Sequence, residues 1–62
     1  MKQYLVFIKI YHSEVSGIII QDQITQEQIL NLDNLDKVTV FSIINLLDKL
    51  KIKYDAVDLN IK

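Results

Sequence analysis

Apolar and polar positions alternate from the start of the chain. Tyr4, Val6, Ile8 and Ile10 form a period-two stripe within residues 3–12, a stretch rich in β-branched and aromatic side chains. Such alternation is the pattern of a half-buried strand. The polar run His12-Ser13-Glu14 suits a turn, and residues 15–21, with Ile18, Ile19 and Ile20, read as a second strand folded back as a hairpin. Gly17, the only glycine, lies near the start of that strand, where it marks a bulge or bend.

The period then changes. Thr25-Gln26-Glu27-Gln28 has the spacing of a capping box. It predicts a short helix through Ile29, Leu30 and Leu32 that stops near Asp33-Asn34, whose side chains compete for backbone hydrogen bonds. Asp36 is placed to cap a second helix, whose polar residues Thr39, Ser42, Asn45, Asp48 and Lys49 recur three or four apart. The apolar remainder, Val40, Phe41, Ile43, Ile44, Leu46, Leu47 and Leu50, is wider than a surface helix needs and predicts a mostly buried element. A strand over residues 38–41 is the rival, but the helical spacing continues unbroken to Lys49.

From Ile52 onward alternation returns through Tyr54, Val57, Leu59 and Ile61, with a phase slip near Ala56 that predicts a bulge or bend at Asp55-Ala56. The elements sum to a single α+β domain over residues 1–62. Its expected order is ββααβ: a three-stranded single-layer sheet with the final strand beside the first and both helices packed on one face.

Composition narrows the function classes. A chain of 62 residues buries only about 60% of its unfolded surface, so its stability is marginal. It has no cysteine for disulfides and no Cys/His pattern for zinc, which leaves oligomerisation as reinforcement. Half of the residues are apolar, too many for a disordered chain. Formal net charge is −1 and every basic residue is lysine, so the arginine fork that reads guanine and clamps phosphate is missing. The bias toward Lys, Ile and Asn points to an A/T-rich coding sequence, as in some bacteria, phages and plasmids. The apolar amino terminus is interrupted by Lys9 and lacks a small-residue cleavage site, so it does not read as a signal peptide. No stretch approaches the roughly 18 apolar residues of a membrane span. A cytoplasmic protein without membrane partners is expected.

Candidate chemistry is sparse. His12, Ser13 and Glu14 are the residue types of a hydrolytic triad, but triad members must converge from separate elements, and adjacent turn residues diverge. Asp33 and Asp36 flank Asn34 without the glycine and alternating oxygens of a calcium loop, and read as capping and solvated residues. No glycine-rich phosphate loop occurs. No catalytic residue, metal or cofactor is expected. Lys49, Lys51, Lys53 and Lys62, with the two helices, suggest a helix-turn-helix and wing, and a small DNA-binding transcriptional regulator is the alternative function. A recognition helix offering Phe41, Ile43 and Ile44 is poorly suited to base edges, however, and lysines in a last helical turn serve the helix dipole. Nucleic acid is therefore not the expected partner.

The segment from Leu47 to Asn60 resembles the helix-to-strand passage that follows the redox motif in glutaredoxin-like proteins, over less than a quarter of the chain. The active cysteines and proline loop of that family are missing, which excludes its chemistry.

What remains is an imbalance on the sheet. If Tyr4, Val6, Ile8 and Ile10 face the helices, then Leu5, Phe7 and Tyr11 lie on the other face with Ile19, and contiguous apolar surface there marks an interface. Interface energy concentrates in a few desolvated anchors, often aromatic. Tyr4 and Phe41 are assigned to the core, leaving Phe7, Tyr11 and, less centrally, Tyr54. The expected function is a small non-enzymatic interaction module: a regulator, an adaptor, or an inhibitor of a host protein such as phages and mobile elements encode. It would bind another protein through Leu5, Phe7, Tyr11, Ile19 and Tyr54, and form a homodimer.

Overall fold

The computed structural model describes residues 3–61. It contains β1 (Tyr4–Tyr11), β2 (Glu14–Asp22), β3 (Gln28–Leu32), α1 (Lys37–Lys49) and β4 (Tyr54–Ile61). The strands form one mixed sheet in the order β3-β2-β1-β4, with β4 parallel to β1 and the other pairings antiparallel. The expected ββααβ fold with three strands is thus corrected to βββαβ, with four strands and one helix.

The predicted first helix is the point of difference. Gln28–Leu32 is instead the edge strand β3, with Leu30 opposite Ile20 and Leu32 opposite Ile18. Thr25 does not complete a capping box: its hydroxyl accepts from the Glu27 N–H, only two residues on. Asp22 organises the turn, its Oδ1 accepting from the N–H groups of Ile24 and Thr25. Gln26 takes a left-handed φ of 63°, and Asp22 N–H closes onto the Glu27 carbonyl. A helix of this length would be too short to offset its nucleation cost alone. The β2 edge supplies ladder bonds and a burial site for Leu30, so pairing wins over local helical preference.

The first hairpin turns on His12 and Ser13, both at positive φ (51° and 63°), with Tyr11 opposite Glu14. Positive φ at both central residues is the type I′ arrangement that matches strand twist and ordinarily favours Asn-Gly. A bulge beside Gly17 shifts the register between Lys9 and Ile10, so that Lys9 pairs with Gly17 and Ile10 with Val15.

The second predicted helix forms. Asp36 caps it, its Oδ1 accepting from the Thr39 N–H at 2.7 Å, and these bonds to the charged form hold its carboxyl below the usual value. The helix ends in a Schellman motif, with Ile52 N–H on the Leu47 carbonyl and Lys51 N–H on that of Asp48. Lys51 occupies the left-handed position, at φ 57°, that glycine usually fills.

The core is one layer between sheet and helix: Val6, Ile8, Ile18, Ile20 and Val40, with Ile43, Ile44 and Leu47 packed partly against it. The expectation of a mostly buried helix is corrected. Val40 alone is fully buried, while Val38, Phe41, Leu46 and Leu50 are exposed, because a single helix resting on a sheet hides only one stripe. The helix lies over β2. Among the described residues no helix is long and apolar enough to cross a membrane.

Neither the bulge nor the bend expected at Asp55-Ala56 occurs. β4 pairs with β1 in unbroken register from Tyr4 with Tyr54 to Tyr11 with Ile61. The phase slip records a change in which face carries the apolar residues within a regular strand. Tyr54 sits on the helix side opposite Tyr4, whereas Val57, Leu59 and Ile61 share the far face with Phe7, Lys9 and Tyr11. Ala56, Asp58 and Asn60, on the helix side, are exposed because α1 lies over β2 and leaves them uncovered.

Two backbone positions generate predictions. Ser13→Gly and Lys51→Gly, each removing a Cβ from a left-handed residue, should each raise unfolding free energy by about 1 kcal/mol in urea melts. Gly17→Ala should act in the opposite direction: a Cβ there runs into the Leu32 carbonyl oxygen and presses on Lys9 Cδ. Overpacking of this kind costs about 2 kcal/mol, read in the same melts as an earlier midpoint at unchanged slope.

Candidate functional site: the helix-free sheet face

Strand register defines the face that α1 leaves bare. Directly paired residues share a face, so Phe7 lies between Val57 on β4 and Ile19 on β2, and Leu5 lies between Asp55 and Gln21. Tyr11 lies between Ile61 and Glu14 at the hairpin end. Leu5, Phe7 and Ile19 are half-buried by their neighbours, while Tyr11, Val57, Leu59 and Ile61 are 37–45% exposed. Four of the five expected contact residues, Leu5, Phe7, Tyr11 and Ile19, therefore fall on one surface.

Tyr54 does not join them. It stands on the helix face, where its hydroxyl donates to Asp48 Oδ1 at 2.8 Å and ties β4 to the end of α1. That bond to the neutral phenol, with some burial and the nearby Asp48 charge, raises its pKa. The residues that complete the surface are Val57, Leu59 and Ile61, which sequence reasoning left out of the site. Their signal in the sequence is the phase slip at Ala56, which marks a switch of face and not the expected bulge or bend.

The one charge inside the apolar face is handled in an unusual way. Lys9 is 6% exposed, with Leu59 on one side and Gly17 on the other. The bare Cα of Gly17 lets the lysine stem lie flat across β2, so that its ammonium donates to Asn31 Oδ1 and Asp33 Oδ1, each at 2.6 Å, beside β3. Its charge is thus drawn to the sheet margin, and the stem adds apolar cover between Phe7 and Tyr11. Asp33, 70% exposed, is the partner in this ion pair.

Polar groups frame the surface at both ends. Asp55 Oδ2 accepts from the Gln3 and Gln23 side chains at 3.1 and 3.4 Å. At the other end the His12 ring meets Tyr11 edge-on, with centroids 4.3 Å apart. No described hydrogen bond links His12, Ser13 and Glu14, and Asp33 and Asp36 are engaged separately by Lys9 and the α1 cap. The helix-turn-helix arrangement is not formed, since β3 occupies the place of its first helix. Lys62 lies outside the described residues. On the opposite face an open cleft of about 930 Å³ between the hairpin end and the first turn of α1 is lined by Ile10, Val15, Leu35 and Phe41.

Neither a protein family, nor a curated protein, nor a solved structure matches this chain.

If Lys9 serves mainly through its stem, Lys9→Met should cost less than about 1 kcal/mol, the ordinary worth of an ion pair with an exposed partner. Lys9→Ala, which uncovers Gly17 and the Phe7 flank, should cost about 2 kcal/mol. Equal losses in the two variants, measured by urea denaturation, would assign the effect to the charge instead.

Proposed function

We propose that this chain is a small non-enzymatic interaction module, a regulator, adaptor or inhibitor, that binds a partner protein through its helix-free sheet face. The observation that carries the reading is the row Val57-Phe7-Ile19, continued by Leu59 and by Ile61 with Tyr11: an apolar surface crossing three strands with none of the described elements laid over it. Contiguous exposed apolar surface rimmed by polar groups is the usual mark of a protein interface. The rim here is Asp55 with its glutamine partners at one end and Glu14 and His12 at the other. Lys9 supports the same reading, because its charge is led away from the centre of the face and neutralised at the β3 margin. Phe7, central and flanked on both sides by apolar residues, is the natural anchor, and Tyr11 is the second.

Affinity capture from a lysate with the parent chain, followed by mass spectrometry, supplies the partner, and alanine variants then locate the contact. Phe7→Ala should weaken binding about thirtyfold, corresponding to about 2 kcal/mol, with Tyr11→Ala and Val57→Ala also weakened. Tyr54→Ala should leave affinity unchanged once circular dichroism confirms folding. Folded Phe7→Ala and Tyr11→Ala variants that both bind like the parent would move the interface to the exposed stripe Thr39, Ser42, Asn45 and Lys49 of α1.

A further inference from the structure

The geometry points to a second, separate surface: the free edge of β4, where two copies of this chain pair antiparallel and join their sheets. The contact is made by the backbone edge of β4 and shares only Val57, Leu59 and Ile61 with the helix-free face; self-association and capture of a foreign partner are measured separately, so either can fail without the other.

The backbone sets which groups are free. Tyr4 N–H donates to the Lys53 carbonyl at 3.0 Å, and the parallel ladder then runs without a shift to Tyr11 and Ile61. In such a ladder Asp55, Val57, Leu59 and Ile61 turn their N–H and C=O groups toward β1, while Tyr54, Ala56, Asp58 and Asn60 turn theirs outward. The outward groups form a row along an eight-residue strand. Natural edges are commonly blunted by brevity, bulges, charged side chains, lysine above all, or proline. The opposite edge, β3, has five residues and a register irregularity against β2, with Lys9 held beside it by Asn31 and Asp33. β4 is longer and unbulged, and residues 54–61 contain no lysine or proline; their charges are Asp55 and Asp58, and Asp58 meets an amide when two copies pair.

Side-chain chemistry then selects a second copy and its register. A twofold pairing centred on Leu59 sets Leu59 against Leu59 and Val57 against Ile61 of the second copy, so every open-face position in the contact is apolar. On the helix side it sets Asp58 against Asn60, a carboxylate facing an amide donor. These are outward-pointing residues, so each such pair exchanges both its N–H···O bonds. The neighbouring registers are poorer. Centring on Val57 puts Asp55 against Leu59, and centring on Asp58 brings two carboxylates face to face, which is destabilising. Centring on Asn60 leaves Val57 without an apolar partner among the described residues. In the Leu59 register one sheet continues from β3 of one copy to β3 of the other, and the two helix-free faces merge.

The natural lack of cysteine makes the test clean. Opposed residues at the non-hydrogen-bonded centre of an antiparallel pair have Cα atoms about 4.5 Å apart, within disulfide reach. Leu59→Cys should therefore oxidise to a covalent dimer on a non-reducing gel. Val57→Cys and Ile61→Cys should stay monomeric when oxidised singly and cross-link when mixed. Sedimentation equilibrium of the parent should give a micromolar dimer, weakened at least about tenfold in Asn60→Pro, which removes an outward N–H and leaves the β1 ladder intact. If that variant fails to fold by circular dichroism, the cysteine pairs carry the test. A parent that sediments as a monomer at about 300 µM, a concentration at which a micromolar dimer would be nearly complete, overturns the proposal. So does preferential cross-linking of Val57→Cys alone.

Discussion

Two cross-strand pairs hold this structure together, Val6 with Ile20 and Ile8 with Ile18, closed from above by Val40. Each buried side chain of this size contributes on the order of 1.5–3 kcal/mol; among the described residues five hydrophobic side chains are buried, and the partly buried ones, Ile43, Ile44 and Leu47 among them, pack against this cluster. β1 is central because it supplies one half of both pairs and carries β2 on one edge and β4 on the other. β3 is recruited through Leu30 and Leu32, which continue the same rows past β2. The helix then needs only a narrow stripe to close the core, which accounts for the exposure of its other apolar residues.

The same constraint shapes the far side of the sheet. A helix seated over β2 leaves one face bare and half of β4 uncovered on the other. β4 answers by placing its apolar residues on the face where Phe7 and Ile19 already offer contact, and its polar residues Asp58 and Asn60 where water reaches them. Lys9 and Gly17 form one device within this arrangement. The missing Cβ opens a track across β2, the lysine stem fills it, and Asn31 and Asp33 receive the charge. The result is a face whose centre is apolar although its central strand carries a lysine.

The local signals in the chain were a fair guide where local energetics decide. The β1 alternation, a polar turn after it, the Asp36 cap and the return to strand after Lys51 rest on backbone preference, capping bonds and period, and each appears in the structure, although Glu14, expected in the turn, opens β2. Leu5, Phe7, Tyr11 and Ile19 were legible as a shared face because strand alternation and hairpin register are enough to place them. Tyr54 and its strand were not, since the face a strand buries depends on what lies above and below it.

Alternation and capping therefore determined, from sequence alone, a hairpin, one helix and a final strand beside the first. Tertiary structure decided the identity of residues 28–32 and the phase of residues 54–61. A five-residue segment has too few bonds of its own to choose between helix and strand, and the free edge of β2 chose for it by offering a ladder and a place for Leu30. β4 carries apolar residues in both phases, and the position of α1 over β2 determined that Tyr54 would turn inward while Val57, Leu59 and Ile61 turned to the open face.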